Sequence, residues 1–215
     1  LLLAEPDFGS VVVIGAVATL MIFLAGARIT HFLFLGLCAV IIIAILVAAE
    51  PYRLERLSSF YDPWAVAFGS GYQLTQALIA FGRGEIMGLG LGEGIQKLFY
   101  LPEAHNDFIF AVIAEELGLI GSVLLVALFV LLVLRIMRLA KGSIENQKFF
   151  SGYLAYGIAL TIGIQALINF GVNTGVLPTK GLTLPFVSYG GNSLLVCFAM
   201  LGLIMRIHLE DPNDG

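Results

Sequence analysis

Charge is what this chain has least of. Asp, Glu, Lys and Arg make up 12% of its 215 residues, against about 25% in an ordinary soluble domain. That shortage excludes a soluble globular fold, whose surface needs more solvated groups than this chain owns. The basic residues are few and scattered and the net charge is −4, which excludes a nucleic-acid-binding surface. Cysteine is nearly absent. Cys38 and Cys197 both fall in apolar runs and read as reduced packing residues, not as a disulfide framework. No metal-ligand spacing, Walker loop or Rossmann glycine pattern occurs. The opening LLLA has neither the basic start nor the cleavage site of a signal peptide. With no initiator Met, the chain reads as the back half of a longer membrane protein.

What is present in quantity is apolar: 59% hydrophobic residues, with 16 Phe and 25 Gly. A membrane-crossing helix needs about 20 mostly apolar residues, and five stretches qualify, at 8–27, 31–49, 108–134, 152–172 and 186–207. Residues 1–4 look like the tail of a preceding span. The expected fold is all-α: a polytopic bundle of about five transmembrane helices forming one unit over residues 1–215. Orientation follows from the positive-inside rule. Arg135, Arg138, Lys141 and Lys148 stand against the single acid Glu145 after the third span, so that connection is cytoplasmic. Arg28 and Arg206 then fall on the same side, and residues 50–107 face outward.

That outward loop is too long for a plain connector. Residues 72–81 (YQLTQALIAF) suit a short half-buried helix framed by Gly69, Gly71, Gly82 and Gly84. Arg53 and Arg56, three apart, share one face if helical. The loop is expected to hold short re-entrant or surface-lying helices. Irregular backbone at membrane depth survives only inside protein or along a wet cavity, so the loop is read as roofing such a cavity.

Carboxylates in this setting need an explanation, since each costs roughly 2.5 kcal/mol or more at the bilayer centre. Glu103, His105 and Asp107 lie at the mouth of the third apolar run, and Glu115 and Glu116 lie inside it. Asp107 is either a helix N-cap or a general base on a lipid-linked substrate at the membrane boundary. On a continuous helix, Asp107 and Glu115 are about 12 Å apart along the axis and nearly on one face. Glu115 then either lines the deeper part of the same cavity or, with Glu116, makes interhelical hydrogen bonds or a cation pair. In the second outward turn, Lys180 with Thr179, Ser188 and Ser193 suits an anionic headgroup such as a diphosphate, or Lys180 is an interfacial anchor. The glycine-rich run 82–94 (GRGEIMGLGLGEG) lacks a phosphate-loop ending and suits close packing.

Six motifs resemble those of the SEDS family: AEPDFG at 4–9, AEPYR at 49–53, GSGYQLTQ at 69–76, LPEAHNDFIFA at 101–111, EELG at 115–118 and LPTKGLTLPFVSYGGNS at 177–193. They stand in family order and are more similar to the septal branch than to the rod-shape branch. The resemblance implies the second half of a ten-span fold. It also implies a peptidoglycan glycosyltransferase that polymerises lipid II at the outer face of the bacterial cytoplasmic membrane. Its partners would be a class B penicillin-binding protein, FtsI, other divisome membrane proteins and membrane lipids. Asp107 matches the acid of the family's HTDF motif, the catalytic base. His105, Glu103, Lys180, Arg53, Arg56, Ser188, Ser193 and Glu115 are the expected substrate-binding set. A divalent cation, Mg or Mn, assisting the diphosphate leaving group is chemically reasonable. Glu5, Asn106 and Asn192 stand where Gln, Thr and Ser are frequent, and none removes a catalytic-type group. Two other classes use similar residues: a lipid II transporter, which concentrates ionisable groups nearer the midplane, and a divisome scaffold without catalysis.

Overall fold

The computed structural model describes residues 8–48, 60–179 and 181–210. Six α-helices organise them: α1 (Phe8–Leu24), α2 (Ile29–Ala48), α3 (Tyr72–Gly84), α4 (Ile109–Glu145), α5 (Phe149–Asn173) and α6 (Gly191–Leu209). A short π-helical turn, Gln96–Tyr100, lies between α3 and α4. Among the described residues there is no strand. By length and composition, α4, α5 and α6 are each able to cross a bilayer, while α1 is an apolar helix of 17 residues. Arg53 and Arg56 lie outside the described residues, as does Lys180.

Helix boundaries follow local chemistry. Gly26, at φ 95°, turns the chain after α1, and the Arg28 carbonyl accepts the His31 N–H at 2.9 Å to start α2. The third span is longer than its apolar run. α4 has 37 residues, about 55 Å at 1.5 Å per residue, against a hydrocarbon core of about 30 Å. Arg135, Arg138 and Lys141 therefore sit on helix rather than in a loop, and Lys141 pairs with Glu145 one turn on at 3.6 Å. The last span begins later than residue 186. Pro185 and Phe186, the latter at φ 64°, hold a turn, and α6 starts only at Gly191.

Small residues let α4 and α5 approach closely, as expected where lipid gives no hydrophobic drive between helices. Ala140 on α4 and Ala155, Ala159 and Ala166 on α5 are buried at 3% exposure or less, joined by Ile204 and Ile207 of α6. A Cβ on Gly152 would lie 2.4 Å from Ile144 Cγ1. A second cluster joins Ala77 and Ala80 of α3 to Ala104, Phe108, Ala111 and Val172. Three ring contacts link the helices: Phe81–Phe110 at 5.5 Å, Phe110–Phe170 at 4.6 Å and Phe129–Phe170 at 5.6 Å between centroids. Each ring pair adds about 0.5–1.5 kcal/mol to area burial.

α4 is broken at Gly118, whose φ and ψ are 66° and −163°. The break frees the carbonyls of Glu115 and Glu116 and the amides of Leu119 and Ile120. The glycine-rich segment after α3 takes all four. Leu89 and Gly90 N–H donate to the Glu115 and Glu116 carbonyls at 3.0 Å each, and Leu119 and Ile120 N–H donate to the Glu85 and Ile86 carbonyls at 2.9 and 3.3 Å. The approach leaves no room for side chains: a Cβ on Gly84 would lie 1.9 Å from the Ala114 carbonyl oxygen, and one on Gly88 2.1 Å from that of Glu116.

This packing makes a paired prediction. Gly84→Ala is expected to lower the thermal midpoint in detergent, with an overpacking cost of at least about 1–3 kcal/mol. Gly82→Ala, on the same helix with nothing within 4 Å of its new Cβ, is expected to leave the midpoint unchanged or raise it, as Ala is favoured over Gly in helices by up to ~1 kcal/mol.

Candidate active site

Residues 101–108 form a run of turns leading into α4, with Phe108 at the helix N-cap position. Asp107 thus lies just outside the helix. The near-common face expected for Asp107 and Glu115 requires an unbroken helix from 107, and α4 begins at Ile109. The turn closes on Glu103, whose φ is 55° and whose carbonyl accepts from Asn106 N–H at 3.0 Å and Phe108 N–H at 3.3 Å. The Glu103 carboxylate also takes the Asn106 side-chain amide at 2.5 Å. Ala104 and Phe108 point inward at 4% and 3% exposure, while Glu103 and His105 are exposed and Asp107 is half-buried.

Three successive carbonyls of this turn are held from outside it. The His105 carbonyl accepts Tyr189 N–H at 2.9 Å, and the Asn106 carbonyl accepts the Ser188 hydroxyl at 2.6 Å. The Asp107 carbonyl accepts two amides from α5, Asn169 Nδ2 at 2.8 Å and Asn173 Nδ2 at 2.9 Å. Asn169 also donates to the Leu182 carbonyl at 2.6 Å, and Asn173 Oδ1 accepts Ala111 N–H at 3.1 Å. Both Asn side chains are buried, at 1% and 0% exposure. They fasten the mouth turn, the first turn of α4 and the 181–184 segment to one helix. The Asp107 carboxylate packs against Gly181, where a Cβ would stand 2.8 Å from Asp107 Oδ2.

The other expected ligands divide. Ser188 is buried and its hydroxyl is used structurally, accepting Leu184 N–H at 2.7 Å while it donates to Asn106. Ser193 is half-buried and bonds the Thr183 hydroxyl at 3.1 Å, and Gln165 Nε2 donates to the Thr183 carbonyl at 3.0 Å. Lys180 is the chain neighbour of Gly181, and with Arg53 and Arg56 it falls outside the described residues. Among the described residues, no group of three or more His, Cys, Asp or Glu could hold a metal ion.

Glu115 and Glu116 serve a different set of partners. Glu115 is 0% exposed; its carboxylate accepts Ile95 N–H at 3.2 Å and Gln96 N–H at 3.1 Å and faces Arg83 Nε at 3.5 Å. Glu116 pairs with Lys97 and accepts Gly92 N–H at 3.0 Å. Each of the two acids is thus held by one cation and by loop amides. Asn169, Asn173 and Gly181 do not stand out in the sequence as site residues, yet they build the seat of Asp107. The two asparagines do carry a signal: polar side chains four apart in an otherwise apolar helix face one partner.

Asn173→Leu removes one of the two acceptors of the Ala111 N–H, leaving the Phe108 carbonyl at 3.0 Å, and leaves Asn169 on the Asp107 carbonyl. One net hydrogen bond is worth about 0.5–1.5 kcal/mol. Hydrogen exchange at Ala111 N–H is therefore expected to speed up by roughly twofold to tenfold, with Asn169→Ala instead loosening the 181–184 segment.

With the geometry in place, comparison with known proteins identifies the lineage. The model of the FtsW/RodA/SpoVE family, described as cell cycle protein, matches residues 1–213. A probable peptidoglycan glycosyltransferase FtsW of Coxiella burnetii is 57% identical over 213 residues, covering 99% of this chain and 57% of that protein. The Pseudomonas fluorescens protein of the same name is 56% identical, over 98% of this chain and 52% of its own length. The chain thus spans about half the length of the relatives it matches. Among solved structures, a peptidoglycan synthase complex that coordinates polymerization and crosslinking aligns with TM-score 0.73 and 31% identity, covering 99% of this chain and 59% of its own. A mutant of the Thermus thermophilus rod shape determining protein RodA aligns with TM-score 0.62 and 30% identity, covering 99% and 53%. Motif order, helical architecture and these likenesses agree: the chain belongs to the FtsW/RodA/SpoVE, or SEDS, family of cell cycle proteins.

Proposed function

We propose that this chain carries the base of a peptidoglycan glycosyltransferase that polymerises lipid II at the outer face of the cytoplasmic membrane during septal wall synthesis. The relatives named for that activity are about twice as long, so the reaction is assigned to the whole protein. The single observation that supports it is the seating of Asp107. Its carbonyl is anchored by two buried amides, and its half-buried carboxylate rests against a glycine beside Lys180.

In this reading an Asp107 oxygen accepts the proton of the 4-hydroxyl on the GlcNAc of an incoming lipid II. The hydroxyl oxygen forms a bond to the anomeric carbon of the growing strand. The bond from that carbon to the diphosphate oxygen breaks with inversion, and undecaprenyl diphosphate leaves with the electron pair. Lys180, Arg53 and Arg56 are assigned to the departing diphosphate by charge. Exposed Glu103 and His105 are assigned to the sugar, together with Ser193. A class B penicillin-binding protein, FtsI, is the proposed crosslinking partner, alongside other divisome membrane proteins. Glu115 is the residue that would favour a transporter, and its pairing with Arg83 and loop amides accounts for it without a transport role.

The test is glycan strand formation from lipid II by the full-length protein reconstituted with its penicillin-binding partner. Asp107→Ala is expected to lower turnover by about 10²-fold or more, the usual weight of a positioned base. Gly181→Ala, which drives a methyl group into the carboxylate, is expected to lower turnover while leaving the amount of folded protein near that of the parent. Strand formation unchanged in Asp107→Ala would sink the base assignment.

A further inference from the structure

Of the acids that the proposed reaction leaves unused, Glu115 is fully buried and Glu116 is half-buried. Glu115 and Glu116 are adjacent on α4, so their side chains leave the helix about 100° apart. Each finds its own cation on a different part of the preceding loop. Glu115 faces Arg83 at the end of α3 and two amides at the start of the π-helical turn. Glu116 takes Lys97 inside that turn and the Gly92 amide before it. A Cβ on Gly94 would meet both carboxyl side chains, at 2.9 Å from Glu115 Oε2 and 3.0 Å from Glu116 Cγ. The latched turn runs straight into the mouth: Leu101 N–H donates to the Gln96 carbonyl at 2.9 Å, and Asp107 lies six residues further on.

We propose that Glu115 and Glu116 are positioning residues, a two-sided latch that fixes the π-helical turn on α4 and so sets the height at which the 101–107 turn presents Asp107. Two attachment systems then meet at the mouth. The α5 asparagines hold the Asp107 end, and the latch holds the entry end together with the Tyr72 hydroxyl, which donates to the Tyr100 carbonyl at 2.7 Å. With the latch gone, the entry end keeps the Tyr72 tie and the burial of Leu101 but loses both charged attachments to α4, which widens the range of tilt open to the turn. An ångström of misplacement at a reacting group costs on the order of 10²-fold in rate. The catalytic consequence rests on the function proposed above; the mechanical one does not.

The test separates them. In full-length protein with Cys38→Ser and Cys197→Ala, nitroxide labels are placed at Leu98→Cys on the turn and Phe150→Cys at the foot of α5, both exposed. Electron–electron distance measurements are expected to give one narrow distribution. Glu116→Gln, Lys97→Met and Glu115→Gln are each expected to broaden or shift it, and the charge reversal Lys97→Glu with Glu116→Lys to recover most of the parent profile. An unchanged distribution in all three single variants overturns the proposal. In the strand-formation assay, the unlabelled single variants are expected to lose roughly 10- to 100-fold in kcat with KM within about twofold, and the reversal to restore kcat. Distances that move while kcat holds would overturn the catalytic half. A parent protein that forms no strands fails the functional reading, and the distance distributions alone then decide whether the latch exists.

Discussion

Backbone that leaves the helix where protein buries it must have every polar group met by protein, because water does not reach it. That constraint governs the mouth of this molecule. Its turn exposes three successive carbonyls, at His105, Asn106 and Asp107, and each is met by a donor from beyond the turn. The donors come from α5 and from the segment before α6. Neither the candidate base nor its surroundings exist as a unit until those helices are packed. The small-residue contact of α4 with α5 is therefore a condition of the site's geometry, since it brings Asn169 and Asn173 within reach.

The same constraint explains the placement of charge. An isolated carboxylate inside an apolar helix is costly, and this chain has two in succession. They are tolerated because the loop before them returns two cations and three amides to the same level of α4. Asp107, where chemistry is proposed, and Glu116 are both half-buried, and only Glu115 is fully buried. Burial alone would single out Glu115, whose oxygens are taken by loop amides and Arg83.

Much of this is legible in the sequence, for identifiable reasons. Apolar runs mark where helices lie, because lipid demands length and hydrophobicity in one stretch. The glycines framing 72–81 mark a short helix, and α3 occupies that place. Motif order points to the family. Relations between segments are what a linear reading misses. Hydropathy shortens α4, because the helix continues into a charged stretch where apolar character stops reporting it. The partners of Glu115 and Glu116 lie 19 to 32 residues upstream, beyond any helical periodicity. The role of Asn169 and Asn173 needs Asp107 to be a turn residue, which an unbroken helix would hide. Ser188 reads as a ligand because a hydroxyl in a loop suggests one; its bonds to Leu184 N–H and the Asn106 carbonyl, which tie two loops together, are not legible there.

The broken helix at Gly118 has a consequence for assembly. A straight α4 would satisfy Leu119 and Ile120 from within, through two ladder bonds. Breaking it gives up those two and gains four with the 85–90 strip, settling that strip's own exposed groups as well. The strip is made first during synthesis, and its partners arrive only when α4 has been inserted. Until then its carbonyls and amides depend on water at the surface. The newly inserted α4 is best off as a plain continuous rod. The kink and the docked strip thus depend on each other, since the bonds that the break gives up are replaced only where the strip is in place.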